Sequence, residues 1–305
     1  MELNFRSDIK KWLDNTEKLE PIPTTFCPNL KTDSGQKIKA VIFDIYGTLL
    51  ISSSGDIDQA SLSGDNMRSA MEAGGFDLQS CQPGVCTFLL DQLQEQIAIQ
   101  HNELRLQGHP FPDVDIFKVW EGMFAAAEEQ KLLKRSGSES LVDTIFVFEI
   151  LSNKVYPMPG MKEVLNALRQ KGIPLGIVSN AQFYTPIIMN YFLTGEFTPR
   201  QDIEFFDKDL SVFSFKELRA KPDTALFDPI KTTLENKYKI QASEAVFVGN
   251  DMLKDVYTAT NSGLKTILFA GDERSLRLRE KDARVKGMFP DFIINDLSQL
   301  TKIID

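Results

Sequence analysis

Asp44 is the residue in this sequence whose type and position most clearly suit it to chemistry. It ends the apolar run KAVIFD, residues 39–44, and is followed within four positions by Gly47 and Thr48. A carboxylate at the carboxyl end of a buried parallel strand lies where open sheets of this kind bind their ligands. It can attack carbon or phosphorus and form a covalent intermediate that water later cleaves. The alternative for Asp44 is a turn or helix-capping residue.

Two further candidates follow later apolar segments. Ser179 and Asn180 end the run PLGIVSN, where a hydroxyl and an amide could hold anionic substrate oxygens or form an ordinary turn. Lys221 precedes Pro222, which biases its backbone away from helix. Its ammonium group could neutralise Asp44 and the negative charge that develops during reaction, although a single lysine is usually a surface residue.

A cluster of oxygen-bearing side chains follows the run AVFVG. Asn250, Asp251 and Asp255 lie within six positions of one another. Hard oxygen ligands in such an arrangement suit Mg²⁺, which binds through few carboxylates and keeps several waters. The alternative is a helix cap followed by acidic residues in the first turn. The sequence does not decide whether Asn250 or Asp251 would face the metal.

The elements that must position these residues alternate along the chain. Short apolar runs suited to buried strands are separated by stretches with helical spacing, which predicts an α/β fold with a doubly wound parallel sheet. The runs are residues 39–44, 174–179, 210–215, 245–249, 265–269 and 291–294. Between the first two, residues 56–155 have helical spacing only and predict a smaller, all-helical domain. Residues 2–19 predict an amphipathic helix, and prolines and polar residues predict an extended linker up to residue 38.

Composition limits the classes of partner. The 305 residues carry a formal net charge of −9, which argues against nucleic acid and anionic membranes. No apolar run approaches the length of a membrane span, and the N-terminus has no apolar signal core. Three cysteines favour free thiols over a disulfide framework. We therefore expect a soluble cytoplasmic protein; that its substrate is a small, anionic molecule is implied by the residues at the strand ends and by the resemblance described next.

Taken together, these residues resemble the four motifs of the haloacid dehalogenase-like hydrolase superfamily. The motifs are Asp44 to Thr48, Ser179-Asn180, Lys221-Pro222-Asp223, and Gly249-Asn250-Asp251 with Asp255. The resemblance implies a Rossmann-like core of residues 39–55 and 156–305, and a mobile cap of residues 56–155 with a hinge near 52–56. The N-terminal residues 1–38 lie outside it.

The resemblance also implies a role for each motif. Asp44 would be the nucleophile and Lys221 would stabilise charge, while Thr48, Ser179 and Asn180 would bind the transferring group. Mg²⁺ would contact the Asp44 carboxylate, the backbone carbonyl of Tyr46 and an oxygen of the fourth motif, from Asn250, Asp251 or Asp255.

Tyr46 departs from the phosphatase pattern of this family, which has an acid–base aspartate at that position. A tyrosine is a poor base at neutral pH, and the Asp-x-Tyr-Gly-Thr form is similar to that of 2-haloacid dehalogenases. The acidic fourth motif and Phe227, where dehalogenases carry a tyrosine, favour a Mg²⁺-dependent phosphate-ester hydrolase instead. A non-catalytic binding protein with the same fold is a third hypothesis. In the helical region, His101 could supply a proton, although a helix-packing or edge position is the simpler expectation for it. Arg68 and Arg105 could bind an anion, although surface exposure is the simpler expectation for both.

Overall fold

The computed structural model describes residues 3–30, 37–54 and 62–304. Its centre is a sheet of six parallel strands in the order β5-β4-β1-β6-β7-β8, beside an antiparallel pair formed by β2 and β3. The strands are β1 (Ala40–Phe43), β2 (Leu50–Ser52), β3 (Val155–Pro157), β4 (Leu175–Ser179), β5 (Ser211–Phe213), β6 (Ala245–Gly249), β7 (Lys265–Phe269) and β8 (Phe292–Ile294). The predicted α/β parallel sheet is confirmed, and each of its strands falls within one of the six apolar runs.

Strand β1 lies at the centre of the sheet because its residues are apolar on both faces. All four are buried, and Val41 lies opposite Leu175 of β4 on one side and Val246 of β6 on the other. The chain builds outward from β1 through β4 to β5 and then returns to the other side of β1 as β6. At such a reversal the connections leave in opposite directions, which opens a crevice at the carboxyl ends of the strands. Asp44 follows β1 directly at this crevice.

Eleven α-helices are found in the described residues, and four of them lie between β2 and β3. They are α1 (Lys10–Asp14), α2 (Gly64–Gly74), α3 (Val85–Leu106), α4 (Ile116–Glu129), α5 (Leu141–Ser152), α6 (Met161–Gln170), α7 (Tyr184–Thr194), α8 (Ser214–Glu217), α9 (Asp228–Thr233), α10 (Thr258–Asn261) and α11 (Leu300–Ile303). Helices α2 to α5 occupy the region in which the sequence predicts helices. That this region is a separate, mobile cap stays a prediction, and the hinge at 52–56 lies partly outside the described residues. No helix in the described ranges is long and apolar enough to cross a membrane.

The N-terminal segment, residues 3–30, differs from its prediction. A helix over residues 2–19 was wrong in extent, because α1 covers only Lys10–Asp14. The apolar side chains before α1 are used in packing instead: the Phe5 ring contacts the ring of Phe146 on α5 at a centroid distance of 5.2 Å. The apolar residues of the N-terminal segment therefore pack into the fold, but their positions are set by tertiary contacts and not by one continuous helix.

The N-terminal segment contacts both the helical region and the sheet. Arg6 lies 3.7 Å from the buried carboxylate of Asp143 on α5. Further along, the backbone N–H of Ile22 donates to Asp272 at 2.8 Å, and Asn29 forms a two-way backbone bridge with Ile293 of β8. One continuous stretch of chain is thus hydrogen-bonded to α5 at one end and to the loops and edge of the sheet at the other.

Candidate active site

The turn after β1 holds Asp44 at the crevice. The Asp44 N–H donates to the carbonyl of Val248 on β6 at 2.9 Å, which continues the parallel pairing to the last residue of the strand. Gly47 then adopts φ +80°, and a Cβ at this position would lie 2.5 Å from Asn250 Nδ2. Both the backbone angle and the close approach of the fourth motif therefore require glycine. The turn brings the first and fourth motifs into contact.

Lys221 joins Asp44 to Asp255. Its Nζ donates to Asp44 Oδ1 at 2.8 Å and to Asp255 Oδ1 at 2.6 Å, and its side chain is only 2% exposed. Burial alone would lower the pKa of Lys221, but the charges of Asp255 and Asp44 outweigh it and raise that pKa. The ammonium group is therefore cationic at neutral pH. Asp44 and Lys221 are 177 positions apart in the sequence, and the fold brings them together as the family resemblance implies.

Ser179 and Asn180 have different places in the site. Ser179 Oγ donates to Asp44 Oδ1 at 2.9 Å. The Asn180 side chain bonds the backbone of Lys221 instead, accepting from its N–H at 2.7 Å and donating to its carbonyl at 3.3 Å. Asn180 therefore fixes the loop that presents Lys221, whereas Ser179 contacts the carboxylate itself. In the part of the chain that the structure describes, both hydrogen bonds to the Asp44 side chain are made to Oδ1.

The two neighbours in the fourth motif point to different partners. Asn250 Oδ1 accepts a hydrogen bond from Thr48 Oγ1 at 3.2 Å, and its Nδ2 donates to the carbonyl of Ser275 at 2.6 Å. Asp251 Oδ1 accepts from the backbone N–H groups of residues 253 and 254, and its Oδ2 accepts from Arg279 Nε at 2.9 Å. Asn250 thus faces the first motif, while Asp251 is a helix cap that pairs with Arg279.

Asp255 is held by contacts on both of its oxygens. Oδ1 accepts from Lys221 Nζ, and Oδ2 accepts from the backbone N–H of Asp251 at 2.9 Å. The described residues contain no group of three or more His, Cys, Asp and Glu side chains arranged to hold a metal ion. The oxygens available for one are therefore few: the Asp44 carboxylate, the Asn250 amide and backbone carbonyls. Such a set, poor in carboxylates, is compatible with Mg²⁺, which retains several waters.

Tyr46 does not replace the missing acid–base aspartate. Its Oη hydrogen-bonds Thr185 Oγ1 on α7 at 2.8 Å. Burial, followed by the charge of Glu149, raises the pKa of Tyr46 well above its usual range. The hydroxyl therefore stays protonated at neutral pH, which makes it a poor base.

A cavity of 280 Å³ opens onto Lys221. Asn180, Lys221 and Lys254 line its core side, and His101, Arg105 and Asp113 line it from the helical region. Of the candidates in that region, Arg68 lines a different cavity, beside Cys81 and Cys86. The helical region also touches the Lys221 loop, because the N–H of Ala220 donates to the carbonyl of Phe111 at 2.8 Å.

Several of these residues could not be found by sequence reasoning. Arg279 lies 28 residues after its partner Asp251, in a loop with no motif. Asp113 and Gln182 are joined by a hydrogen bond of 3.2 Å between the helical region and the loop after β4. Gln182 could have been suspected from the sequence because it lies two residues after Asn180. Asp113 lies in a proline-rich stretch that gave no indication of function.

Comparison with known proteins gives consistent results. A family model described as haloacid dehalogenase-like hydrolase matches residues 38–263. The chain is 26% identical over 149 residues to the glyceraldehyde 3-phosphate phosphatase of Pyrococcus furiosus, covering 48% of this chain and 54% of that protein. It is 27% identical over 148 residues to the ribulose-1,5-bisphosphate 5-phosphatase of Halopiger xanaduensis, covering 48% and 56%. The chain thus spans about half the length of these curated relatives.

Among solved structures, a 2-haloacid dehalogenase from Pseudomonas syringae superposes with a TM-score of 0.56 at 20% identity. The superposition covers 87% of this chain and 97% of that one. At this level of identity the likeness supports the shared fold and does not indicate which reaction takes place.

Proposed function

Because the chain belongs to the haloacid dehalogenase-like hydrolase family, we propose that it hydrolyses phosphate monoesters of small molecules with Mg²⁺ and with Asp44 as the nucleophile. The observation that carries the proposal is the buried ammonium group of Lys221 between Asp44 and Asp255. A fixed cation beside a carboxylate stabilises the negative charge of a transferring phosphoryl group more than that of a neutral substrate. The phosphatases among the relatives support the same class of reaction.

The proposed reaction has two steps. Asp44 Oδ2 attacks phosphorus, the bond from phosphorus to the ester oxygen breaks, and the alcohol leaves as it takes up a proton. Water then attacks the aspartyl phosphate, which releases inorganic phosphate and restores the carboxylate. Lys221 and the hydroxyl of Ser179 hold Oδ1 throughout, which keeps Oδ2 directed at the substrate.

The residues that would hold Mg²⁺ are Asp44, the backbone carbonyl of Tyr46 and Asn250. When bound, the ion would neutralise phosphoryl oxygens and so reduce repulsion between the substrate and Asp44. We assign the fourth-motif contact to Asn250 rather than to Asp251, because Asp251 is occupied by Arg279 and by helix N–H groups. Asp255 is assigned to positioning Lys221.

The proton for the leaving group must come from outside the first motif. His101 lines the Lys221 cavity from the helical region and is the candidate we propose. An imidazole can donate a proton near neutral pH, unlike the phenol of Tyr46. A substrate whose leaving group needs no proton would be hydrolysed without the help of His101.

A dehalogenase reaction is the second candidate, and Tyr46 is the observation that favours it. Displacement of halide from a 2-haloacid needs no acid, so the loss of the second aspartate would cost that reaction little. The purified chain should be assayed with p-nitrophenyl phosphate with and without Mg²⁺, and with L-2-chloropropionate and halide detection. Phosphate release that depends on Mg²⁺ and is lost in Asp44→Asn supports the proposal. Halide release without metal would replace it, and no turnover of either would favour a non-catalytic binding protein.

A further inference from the structure

A second cavity, of 340 Å³, extends from the Lys221 cavity into the helical region. The two cavities share His101, Asp113 and Gln182. Most of the wall is apolar and is supplied by α3, α4 and α5, including Leu93, Ile97, Ile116, Trp120, Ile145 and Phe148. A phosphate ester held at Lys221 could therefore place the carbon skeleton of its leaving group among these side chains.

Two buried acceptor atoms at this cavity have no hydrogen-bond partner among the described residues. They are Glu149 Oε1 and Gln182 Oε1. Gln182 is 7% exposed, and its amide nitrogen is used by Asp113 and the carbonyl of Val114, which leaves the oxygen without a donor. A buried acceptor without a donor is unfavourable, because it has lost its hydrogen bonds to water and gained none in the protein. A ligand with N–H or O–H groups would remove this cost.

The charge of the wall favours a cation. Glu149 and Asp113 are its acidic residues and His101 is a basic one, while neither lysine nor arginine lines it in the part of the chain that is described. The ammonium group is therefore assigned to the end of the cavity at Glu149. Burial raises the pKa of Glu149 to about 7, while hydrogen bonding of the carboxylate by the Tyr184 hydroxyl and by the Asn153 side chain opposes that rise. A nearby cation would favour the ionised carboxylate. Trp120 also lines the cavity, and ammonium groups are attracted to aromatic rings.

We propose that the 340 Å³ cavity binds an apolar leaving group that ends in a primary ammonium group, with Glu149 and Gln182 accepting its hydrogens. The substrate class is then a phosphate monoester of an alcohol or phenol that carries an amine on an apolar skeleton. This inference rests on the proposed phosphatase function and adds the identity of the leaving group.

A matched series of esters tests the inference. Phenyl phosphates that carry 4-(2-aminoethyl), 4-(2-hydroxyethyl), 4-ethyl and 4-(2-carboxyethyl) groups have the same skeleton and leaving groups of similar acidity. With the full chain and Mg²⁺, we expect kcat/KM for the aminoethyl ester to exceed that for the ethyl ester by about tenfold or more. The carboxyethyl ester should be the poorest substrate. An ethyl ester as good as the aminoethyl ester, or a hydroxyethyl ester equal to it, would overturn the assignment.

Glu149→Gln keeps the shape of the side chain but removes its charge. The ratio of kcat/KM between the aminoethyl and ethyl esters should fall towards one in this variant. The control is Glu163→Gln on the exposed face of α6, which should keep the wild-type ratio. An unchanged ratio in Glu149→Gln would refute the assignment of Glu149 as the residue that binds the ammonium group.

A binding measurement separates this inference from the proposed function. Calorimetric titration of the wild-type chain with tyramine and with 4-ethylphenol does not depend on turnover. It also does not depend on whether a variant folds. Tyramine should bind at least about tenfold more tightly. Tyramine binding without hydrolysis of any ester, p-nitrophenyl phosphate included, would refute the phosphatase and keep the amine site. Equal or absent binding of the two compounds would refute the amine site whether or not esters are hydrolysed.

Discussion

Replacing Lys221 with methionine should destabilise the fold as well as stop turnover. The side chain is 2% exposed and its Nζ lies 2.8 Å from Asp44 Oδ1 and 2.6 Å from Asp255 Oδ1. Methionine has a similar length and no charge, so the variant would leave two carboxylates buried beside each other without a cation. Removal of one partner from a buried ion pair costs about 3–5 kcal/mol. We expect a loss in this range, because two anions lose their partner at once.

Urea denaturation followed by circular dichroism, at pH 7 and with a chelator to exclude metal ions, measures this loss. The control is Lys231→Met, which removes an exposed pair with Asp228 whose atoms lie 2.7 Å apart. Exposed pairs contribute under about 1 kcal/mol, so this variant should remain close to the wild type.

The double variant Lys221→Met with Asp255→Asn tests the cause of the loss. It removes one of the two uncompensated charges and should recover part of the stability, while turnover should remain absent. A loss below about 1 kcal/mol in Lys221→Met, or no recovery in the double variant, would refute the description of this cluster as a buried network of charges.

Three further predictions concern single positions. Asn250→Ala should raise the Mg²⁺ concentration needed for half-maximal phosphate release by about tenfold or more. Asp251→Asn should leave that concentration nearly unchanged but lower the free energy of unfolding by about 1–3 kcal/mol. The reverse result would contradict our assignment of the two residues. His101→Ala should slow alkyl phosphates far more than p-nitrophenyl phosphate in steady-state assays, and equal slowing would exclude it as the proton donor. Gly47→Ala should destabilise the fold by about 1–3 kcal/mol in thermal unfolding, because of φ +80° and a Cβ 2.5 Å from Asn250 Nδ2; a neutral effect would contradict the turn geometry.

The sheet and the meeting of the motifs could be predicted from the sequence because both depend on local patterns. A parallel strand buried on both faces reads as a continuous apolar run, and strand ends in one sheet share an edge. Asp44 and Ser179 could therefore be placed together from the sequence pattern, whereas Lys221 follows no strand and was placed with them by the family resemblance. The pairing of Lys221 with Asp44 was predicted from charge, whereas its pairing with Asp255, which the sequence suggested as a metal ligand, was not.

Other features could not be predicted because they depend on contacts between distant segments. Asn250 and Asp251 are neighbours with similar side chains, and the position of Arg279, in a loop without a pattern, separates their roles. The predicted length of α1 was wrong because apolar residues before it pack one by one against other parts of the fold. Phe5, for example, packs against Phe146 on α5 and against Phe197, which follows α7. The cavity with Glu149 arises from the packing of three helices, and no spacing in one helix indicates it.

The attachment of the N-terminal segment at two places has a consequence for the release of products. Arg6 contacts Asp143 on α5, whereas Ile22 and Asn29 bond the loop and strand at the far side of the sheet. Any rotation of the helices away from the sheet must stretch the residues between these contacts or break one set of them. If the helices move in this way during release of product, that movement would depend on a piece of chain that lies outside the matched family region of residues 38–263. Proteolytic cutting near residue 18 would separate the two attachments without touching a single catalytic group.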